Sequence, residues 1–192
     1  VNELCAEQAA TLQSILPNAD IAIGDAETMD LEDEHSLIIS ANAVQWFDSP
    51  LSFVAQSARR LQAGGQLLFN TFTPKNFWQI KHLTGQGLYY PDINEWQLAL
   101  ISAGFEIIEL STQRFELPFA SPYAVLKHMK LTGVSTNRTQ VNASNIQPFM
   151  WTKTRLQQFE SDYWQYFSAQ DDAGQPIVHL TYEVLIVSAY KP

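Results

Sequence analysis

The sequence has a single cysteine, Cys5, among its 192 residues. One cysteine excludes an internal disulfide framework. Cys5 falls on the apolar side of a predicted N-terminal helix, with Ala9 and Leu12 at helical spacing. This position predicts a small core residue before it predicts a nucleophile.

Long apolar runs are also missing. No segment approaches the roughly 20 consecutive apolar residues that a membrane-spanning helix needs, and no leader with a charged, an apolar and a small-residue part comes first. With 46% hydrophobic and 16% charged residues, the composition is in the ordinary globular range. We therefore expect a soluble cytoplasmic protein with one domain over residues 1–192.

Basic residues are scarce and unevenly placed. The chain has 11 Lys and Arg against 20 Asp and Glu, for a net charge of −9. Such a charge argues against nucleic acid as a partner, because phosphate binding needs a basic surface. Residues 114–160 nevertheless carry 6 basic and 2 acidic residues, whereas residues 1–113 carry 4 basic and 14 acidic. A local patch of this sign can attract an acidic partner.

Familiar catalytic and metal-binding signatures are absent as well. The four histidines are scattered and have no metal-ligand spacing, and no G-x-S-x-G segment occurs. Gly85 and Gly87 resemble the beginning of a dinucleotide-binding fingerprint, but the third glycine is missing and no helix pattern follows. We interpret this segment as a flexible loop and expect no metal site.

What is present is an alternation of helix and strand patterns. Helices are predicted over residues 2–16, 51–61 and 92–103. Strands are predicted over residues 20–23, 36–40 and 66–72. The continuous apolar centre of 36–40 predicts a strand that is covered on both faces. Strand, helix and strand from 36 to 72 indicate a parallel pair with a right-handed crossover.

The second half changes pattern after a further strand. Residues 105–117 alternate in polarity, which predicts a strand exposed on one face. Helices are predicted over 121–134, entered through Ser121 and Pro122, and over 152–167, capped by Thr152. A polar loop separates them, and 177–190 predicts a long last strand, expected to be antiparallel. The fold class is therefore α/β, with a cap insertion at 116–168.

Three segments in this order carry a resemblance to a known family. They are "GDAETM", "SLIISANAVQWFDSPLSFVAQSARRLQAGGQLLFNTF" and "YEVLIVSAY". Together they resemble the class I S-adenosylmethionine-dependent methyltransferases, a Rossmann-like family with seven strands. Asn42, Gln45 and Trp46 are similar to the branch that contains malonyl-acyl carrier protein O-methyltransferase and trans-aconitate methyltransferase. "YAVLKHMKLTGV" with the polar loop after it is more similar to the former.

The resemblance covers residues 20–191 and implies that part of the fold is not in this chain. The family's first strand ends in a glycine-rich turn around the methionine part of the cofactor, and its second strand ends in an acidic residue that binds the ribose hydroxyls. Gly24 is the first glycine of the sequence, and neither element precedes the predicted helix. The first two strands are expected upstream of Val1, in a missing piece of roughly 60 to 80 residues. We expect this chain alone not to bind S-adenosylmethionine, and unpaired strand edges favour association with another copy.

Four positions match cofactor contacts of the family. The resemblance implies that the Asp25 carboxylate accepts a hydrogen bond from the exocyclic amine of adenine and that the backbone amide of Ala26 donates to the ring. The alternative for Asp25 is an acidic residue that caps its own turn. Asn42 and Ala43, at the carboxyl end of a strand, match positions beside the methionine portion, at the edge where ligands bind in open α/β sheets.

Substrate positions are less specific. Gln45 and Trp46 either line the methyl-transfer pocket or pack under the next helix. Tyr182 on the last strand is a weaker candidate for contact with the substrate carboxylate. The aromatic residues from Tyr123 to Phe167 are expected to pack the inserted helices.

The basic segment supplies the candidate contacts to a carrier protein. Lys127 and Lys130 share one face of their predicted helix, and Arg138 lies beyond it. These side chains either recognise an acidic carrier or the substrate carboxylate, or they form an ordinary solvated face.

The resemblance implies methylation of a carboxylate, with malonyl-acyl carrier protein in biotin biosynthesis as the expected substrate and S-adenosylmethionine as the donor. A carboxylate with an ordinary pKa is ionised at neutral pH, so the reaction needs no general base. Two alternatives remain open. One is a methyltransferase of small acids of the trans-aconitate type. The other is a non-catalytic binding protein that has lost its cofactor site.

Overall fold

The structure, a computed structural model, describes residues 1–31, 33–132 and 151–192. The chain divides into two compact units. The first unit contains residues 1–69, 94–110 and 187–192. The second unit contains residues 70–93 and the described part of 111–186.

The described residues form seven strands and six α-helices. The strands are β1 (Asn2–Glu3), β2 (Ala22–Ile23), β3 (His35–Ala41), β4 (Leu61–Phe72), β5 (Glu106–Phe119), β6 (Ser168–Gln170) and β7 (Pro176–Tyr190). The helices are α1 (Ala9–Ile15), α2 (Ser52–Arg60), α3 (Trp78–Thr84), α4 (Ile93–Ser102), α5 (Pro122–Leu131) and α6 (Lys153–Phe167). Within these described ranges, no helix combines the length and the hydropathy needed to cross a bilayer.

The beginning of the chain differs from the helix predicted over residues 2–16. Residues 2 and 3 form β1, which pairs in parallel with β2, and α1 begins only at Ala9. The side-chain amide of Asn2 donates to the carbonyl oxygens of Ala22 at 3.2 Å and Gly24 at 3.0 Å. These contacts hold the first residues extended alongside β2, so strand pairing prevails over helical periodicity.

The predicted burial of this helix is also wrong. Cys5 precedes the helix and is exposed, Ile15 is 66% exposed, and α1 has no buried residue. A ladder of two residue pairs offers little surface to pack against, and the apolar positions Ala9 and Leu12 of α1 are only half-buried.

The larger sheet has the order β3-β4-β7-β5, with β6 paired to β7. The predicted strand–helix–strand unit is confirmed as β3, α2 and β4, with the two strands adjacent. The prediction that β3 is covered on both faces is wrong, because Leu37 is 44% and Ile39 64% exposed. As the first strand of the order, β3 has one hydrogen-bonded neighbour, and no described helix shields these side chains.

β7 runs antiparallel to β4, as predicted. In the first unit the Gly64 amide donates to the Lys191 carbonyl oxygen at 2.8 Å, and in the second unit the Thr73 amide donates to the Glu183 carbonyl oxygen at 3.1 Å. Residue numbers therefore rise along β4 as they fall along β7. The Lys191 ammonium also donates to the carbonyl oxygen of Ala58 at 2.6 Å, which holds the end of the chain against the end of α2.

β5 is exposed on more than the one face predicted for residues 105–117. Every residue from 112 to 118 is exposed, including Phe115 at 48% and Leu117 at 37%. β5 lies at the other end of the strand order, where β7 is its one neighbour among the described strands.

The helices of the second unit begin where the sequence predicts. The Ser121 hydroxyl accepts from the Ala124 amide and Pro122 opens α5, while the Thr152 hydroxyl accepts from the Arg155 amide at the start of α6. α3 was not predicted. Its last turn closes at Gly85, which has φ 66° and donates to the Lys81 carbonyl oxygen, so this glycine ends a helix before an irregular segment begins.

The second unit has a closed apolar core between α3, α5, α6 and β7. Its buried members are Phe77, Ile80, Val125, Met129, Phe159, Tyr163, Val178 and Leu180. The expectation that aromatic residues pack the inserted helices is confirmed for Tyr163, which is fully buried. It is also confirmed for Trp164 and Phe167, which pack against this core, and for Trp151, whose ring contacts Phe159 of α6 with centroids 5.2 Å apart. It is wrong for Tyr123 at 61% exposure, and Tyr166 is 58% exposed. Phe149 lies outside the described residues.

Candidate functional site

The first unit contains an open cavity of about 840 Å³. Glu3, Ala26 and Ala43 all line it. They stand at or just beyond the carboxyl ends of β1, β2 and β3 respectively. The structure therefore brings two predicted cofactor positions, Ala26 and Ala43, to one cavity and adds an acidic residue to them.

Glu3 is a position that the sequence did not single out. It falls within the helix predicted over 2–16, but the structure places it at the end of β1, where its carbonyl oxygen accepts from the Gly24 amide at 2.9 Å. Its carboxylate accepts from the Cys5 amide at 2.8 Å. An acidic residue that ends a strand beside β2 has the place that the family resemblance gives to the ribose-binding carboxylate. That carboxylate was expected upstream of Val1, and the structure offers Glu3 for it within this chain. The sequence did not indicate β1, because two residues are too few to show the alternating polarity of a strand.

The turn after β2 depends on Gly24. Its φ is 151°, and a Cβ there would lie 2.6 Å from Met29 Sδ. Asp25 follows and is exposed, and its Oδ1 accepts from the Glu27 amide at 2.9 Å. The capping role that was the alternative for Asp25 is thus present. A carboxylate has about four acceptor sites, so Asp25 can cap its turn and still accept from adenine. The adenine contact remains a prediction.

Glu27 links this turn to the loop after β3. Its Oε2 accepts from the Asp48 amide at 2.7 Å and its Oε1 from the Ser49 amide at 2.9 Å. α2 adds a further contact, because Arg60 Nη2 donates to the Met29 carbonyl oxygen at 2.8 Å. The segments that carry Ala26 and Ala43 are therefore held together by one carboxylate. No local sequence signal indicates a bridge over 21 residues.

The loop after β3 has an unusual backbone at Asn42, with φ 51°. Asparagine tolerates this left-handed conformation better than most residues. Asn42 and Ala43 are exposed, and a short 3-10 helix follows at Val44–Trp46. Gln45 is 9% exposed, and its Nε2 donates to the Asn42 carbonyl oxygen at 2.5 Å. Its Oε1 is buried and has no hydrogen-bond partner among the described residues.

Tyr182, in the second unit, is half-buried between aromatic rings. Its hydroxyl lies 2.8 Å from His128 Nε2, and its ring contacts Phe77 with centroids 4.7 Å apart. Burial raises the pKa of the Tyr182 hydroxyl, which is already protonated at neutral pH at its ordinary pKa of about 10. Beside it lies a small cavity of about 200 Å³, lined by Tyr182 and by Phe115, Leu117 and Val184.

Buried polar residues fix the segment after β4 to β7. Glu183 is 9% exposed; its Oε1 accepts from the Thr73 hydroxyl at 2.6 Å, and its amide donates to Asn76 Oδ1 at 3.3 Å. Asn76 in turn donates to the Tyr90 hydroxyl at 3.3 Å, and burial raises the pKa of Tyr90. None of these residues was singled out from the sequence, since the two bonds to Glu183 connect positions 110 and 107 residues apart.

The predicted basic face is partly described. Lys127 and Lys130 are exposed on α5, next to Leu131 at 76% exposure. Arg138 lies outside the described residues. Among the residues that the structure describes, no three His, Cys, Asp or Glu side chains are placed to hold a metal ion.

Comparison with known proteins decides the family. A family model described as a methyltransferase domain matches residues 2–69. The malonyl-[acyl-carrier protein] O-methyltransferase of Bacteroides thetaiotaomicron is 35% identical, over 100% of this chain and 72% of its own length. This chain belongs to that O-methyltransferase family. The enzyme of the same name from Bacteroides helcogenes is 38% identical over 98% of this chain and 65% of its own length.

The O-methyltransferase relatives are longer than this chain. It spans 62%, 65% and 61% of the curated relatives from Acinetobacter baylyi, Bacteroides helcogenes and Haemophilus ducreyi. The cavity and the candidate cofactor residues Glu3, Asp25, Ala26, Asn42 and Ala43 all lie within the matched methyltransferase domain.

Solved structures confirm the fold of this O-methyltransferase chain. A Bacillus halodurans protein, named a methyltransferase only provisionally, has a TM-score of 0.62 at 22% identity and covers 100% of this chain and 81% of its own. The YcgJ protein of Bacillus subtilis has a TM-score of 0.61 at 15% identity, over 99% and 80% of the two chains. The predicted α/β class I methyltransferase fold is therefore confirmed.

Proposed function

We propose that the protein carrying this chain is a cytoplasmic enzyme that methylates the free carboxylate of malonyl-acyl carrier protein in biotin biosynthesis. The observation that carries the proposal is the cavity of the first unit, where Glu3, Ala26 and Ala43 meet at the ends of three strands. The names of the relatives support the substrate.

The residues present fit S-adenosylmethionine as the methyl donor. A volume of about 840 Å³ lies within the roughly 300–1,000 Å³ of small-molecule sites. Glu3 would accept from the ribose hydroxyls, Asp25 and Ala26 would bind the adenine, and Asn42 and Ala43 would lie along the methionine part.

The chemistry needs few protein groups. When bound, S-adenosylmethionine supplies a methyl carbon on a positively charged sulfur, which an oxygen of the substrate carboxylate can attack. That carboxylate is already ionised at neutral pH, because its pKa is about 4. The protein's task is to hold the two groups in line and to exclude water.

Tyr182 is the candidate that holds the acyl substrate. Its hydroxyl is neutral at pH 7 and burial raises its pKa further. When Nε2 of His128 is the donor in the 2.8 Å contact, the single O–H of Tyr182 is available to donate to a carboxylate or a thioester carbonyl. The apolar side chains around the small cavity beside Tyr182 would contact the carbon chain.

The carrier would dock on the exposed face of α5. Lys127 and Lys130 lie there in the only strongly basic part of the sequence, residues 114–160, and Arg138 belongs to the same part. Complementary charge of this kind steers association and raises apparent affinity for an acidic partner.

The test is methyl-ester formation from S-adenosylmethionine and malonyl-acyl carrier protein by the whole protein that the gene encodes. Changing Lys127 and Lys130 to Glu together is expected to raise KM for the carrier-bound substrate about tenfold, with KM for a small malonyl thioester unchanged. Lys81→Glu on α3 is the matched control and should change neither value.

Two outcomes would contradict the proposal. Unchanged turnover of malonyl-acyl carrier protein by the double variant would contradict the assignment of Lys127 and Lys130 to carrier binding. The proposed reaction would be contradicted if the protein methylated free trans-aconitate but not malonyl-acyl carrier protein. It would also be contradicted if calorimetry showed no binding of S-adenosylmethionine.

A further inference from the structure

One face of α5 combines two exposed apolar side chains with two basic ones. Tyr123 is 61% and Leu131 76% exposed. Lys127 and Lys130, which lie between them in the sequence, are exposed as well. At 3.6 residues per turn, these four positions fall within about 100° of the helix circumference. They therefore form one stripe along the outside of the helix, which we call the α5 stripe.

The opposite side of α5 is fixed in the core of the second unit. Val125 is fully buried and Met129 is 9% exposed, and both belong to the apolar core there. The Ser121 hydroxyl caps the start of the helix by accepting from the Ala124 amide. Because the buried side holds the backbone in place, a partner can bind the α5 stripe with little ordering of the backbone.

The part of the sequence that contains the α5 stripe carries charge of one sign. Residues 117–159 contain five Lys and Arg and no Asp or Glu, although the whole chain has a net charge of −9. Lys127 and Lys130 are two of these five basic residues. A surface of this sign attracts carboxylates and repels basic proteins. The partner that fits the α5 stripe therefore has an acidic surface.

Charge alone would give this surface little affinity. Exposed ion pairs contribute weakly and are screened by salt, whereas a few side chains that become desolvated, Tyr often among them, carry most of the affinity of an interface. Tyr123 and Leu131 stand at the two ends of the stripe, about 12 Å apart at a rise of 1.5 Å per residue. An acidic partner with an apolar patch would cover both side chains while its carboxylates meet the two lysines.

α5 also links the stripe to the candidate substrate hydroxyl. His128 follows Lys127 in sequence, and its Nε2 lies 2.8 Å from the Tyr182 hydroxyl on the inner side of the helix. An α-helix with its side chains is about 10 Å across. A carrier that covers the α5 stripe is therefore about one helix diameter from Tyr182.

We propose that the α5 stripe is the surface on which the carrier docks. Tyr123 and Leu131 are its apolar anchors, and Lys127 and Lys130 steer the carrier toward it. The matching partner is a carrier whose carboxylates flank an apolar patch. This inference rests on the proposed function and adds two side chains that bind the carrier without charge.

The experiment measures binding of acyl carrier protein without a malonyl group to the whole protein by calorimetry. Tyr123→Ala and Leu131→Ala together should raise the dissociation constant about tenfold, as expected for the loss of interface anchors. The increase should be the same at about 0.1 M and about 1 M salt, because no charge is changed. KM for a small malonyl thioester should stay unchanged, because both side chains lie on the outside of α5.

The matched control combines Tyr166→Ala on α6 with Leu98→Ala on α4, which remove side chains that are 58% and 65% exposed. This control variant loses the same two residue types from the surface outside the α5 stripe. It should leave the dissociation constant of the carrier unchanged.

Three results would overturn the role of Tyr123 and Leu131 while leaving the proposed function intact. They are an unchanged dissociation constant in the anchor variant, an increase that disappears at high salt, and an equal increase in KM for the small thioester. A protein that is dimeric in ultracentrifugation and becomes monomeric in the anchor variant would show that a second copy, and not the carrier, covers the α5 stripe. Failure of the unaltered protein to methylate malonyl-acyl carrier protein would overturn the proposed function and this inference with it.

Discussion

Each unit of the chain buries an apolar core, with Trp96 and Leu100 in the first and Tyr163 and Leu180 in the second, but the two units contrast in how completely their apolar side chains are covered. In the second unit, Val125, Tyr163, Val178 and Leu180 are fully buried in one core. In the first unit, Ile39 on β3 is 64% exposed, α1 buries no residue, and a cavity of about 840 Å³ is open. Periodicity in the sequence identifies apolar side chains in both units, but only the presence of a packing partner decides which of them are buried.

The largest effect should come from emptying the core of the second unit. Tyr163→Ala removes a fully buried ring and the hydrogen bond from its hydroxyl to the His179 carbonyl oxygen at 2.8 Å. The free energy of unfolding should fall by about 3–5 kcal/mol, measured by urea denaturation. Tyr166→Ala, on the same helix at 58% exposure, should cost less than about 1 kcal/mol. If Tyr163→Ala and Tyr166→Ala lowered the free energy of unfolding equally, Tyr163 would not be a central residue of this core.

A smaller loss of stability is expected when Glu27, which links the turn after β2 to the loop after β3, is removed. Glu27→Ala removes the acceptor of the Asp48 and Ser49 amides, and the free energy of unfolding should fall by about 2 kcal/mol, because hydrogen bonds to a charged group are lost. Hydrogen exchange at these two amides should accelerate. Glu106→Ala, at an exposed position on β5, is the control and should leave both amides protected.

The backbone geometry of Gly24 predicts that Gly24→Ala lowers the free energy of unfolding by as much as Glu27→Ala or by less. Gly24→Ala forces a Cβ to within 2.6 Å of Met29 Sδ at φ 151° and should cost about 1–2 kcal/mol in the free energy of unfolding. Gly87→Ala in the second unit is the comparison, since its Cβ would meet only the Lys81 side chain at 3.8 Å. A neutral Gly24→Ala in thermal denaturation would show that the turn after β2 is not held as described.

The smallest effect is expected at the exposed edge of the first unit. Ile39→Thr should change the free energy of unfolding by less than about 0.5 kcal/mol and reduce aggregation in light scattering, because an apolar strand edge is made polar. Val187→Thr on β7, which is 1% exposed, should cost about 1–2 kcal/mol. Both residues lie in the first unit, so similar losses for the two variants would mean that β3 is covered as β7 is.

Local chemistry made much of the fold predictable. Ser121 and Thr152 cap their helices as predicted, because capping depends on one side chain and the next three amides. The long apolar alternation of the last strand and its antiparallel direction also agree with the structure. β1 and α3 were missed, since elements of two and seven residues are too short for a reliable period.

The site was predictable only in part, through the family resemblance. Ala26 and Ala43 were named from their motifs and line one cavity. Glu27 could not be found, because its partners Asp48 and Ser49 are defined by the fold and by no spacing rule.

The bridge made by Glu27 has a mechanical consequence. The segment with Ala26 and the segment with Ala43 share one carboxylate, so a shift of either segment displaces the other. A ligand that touches both segments therefore meets one stiff body and not two separate loops. Binding of the two ends of such a ligand is then coupled, because the two segments lose conformational freedom together.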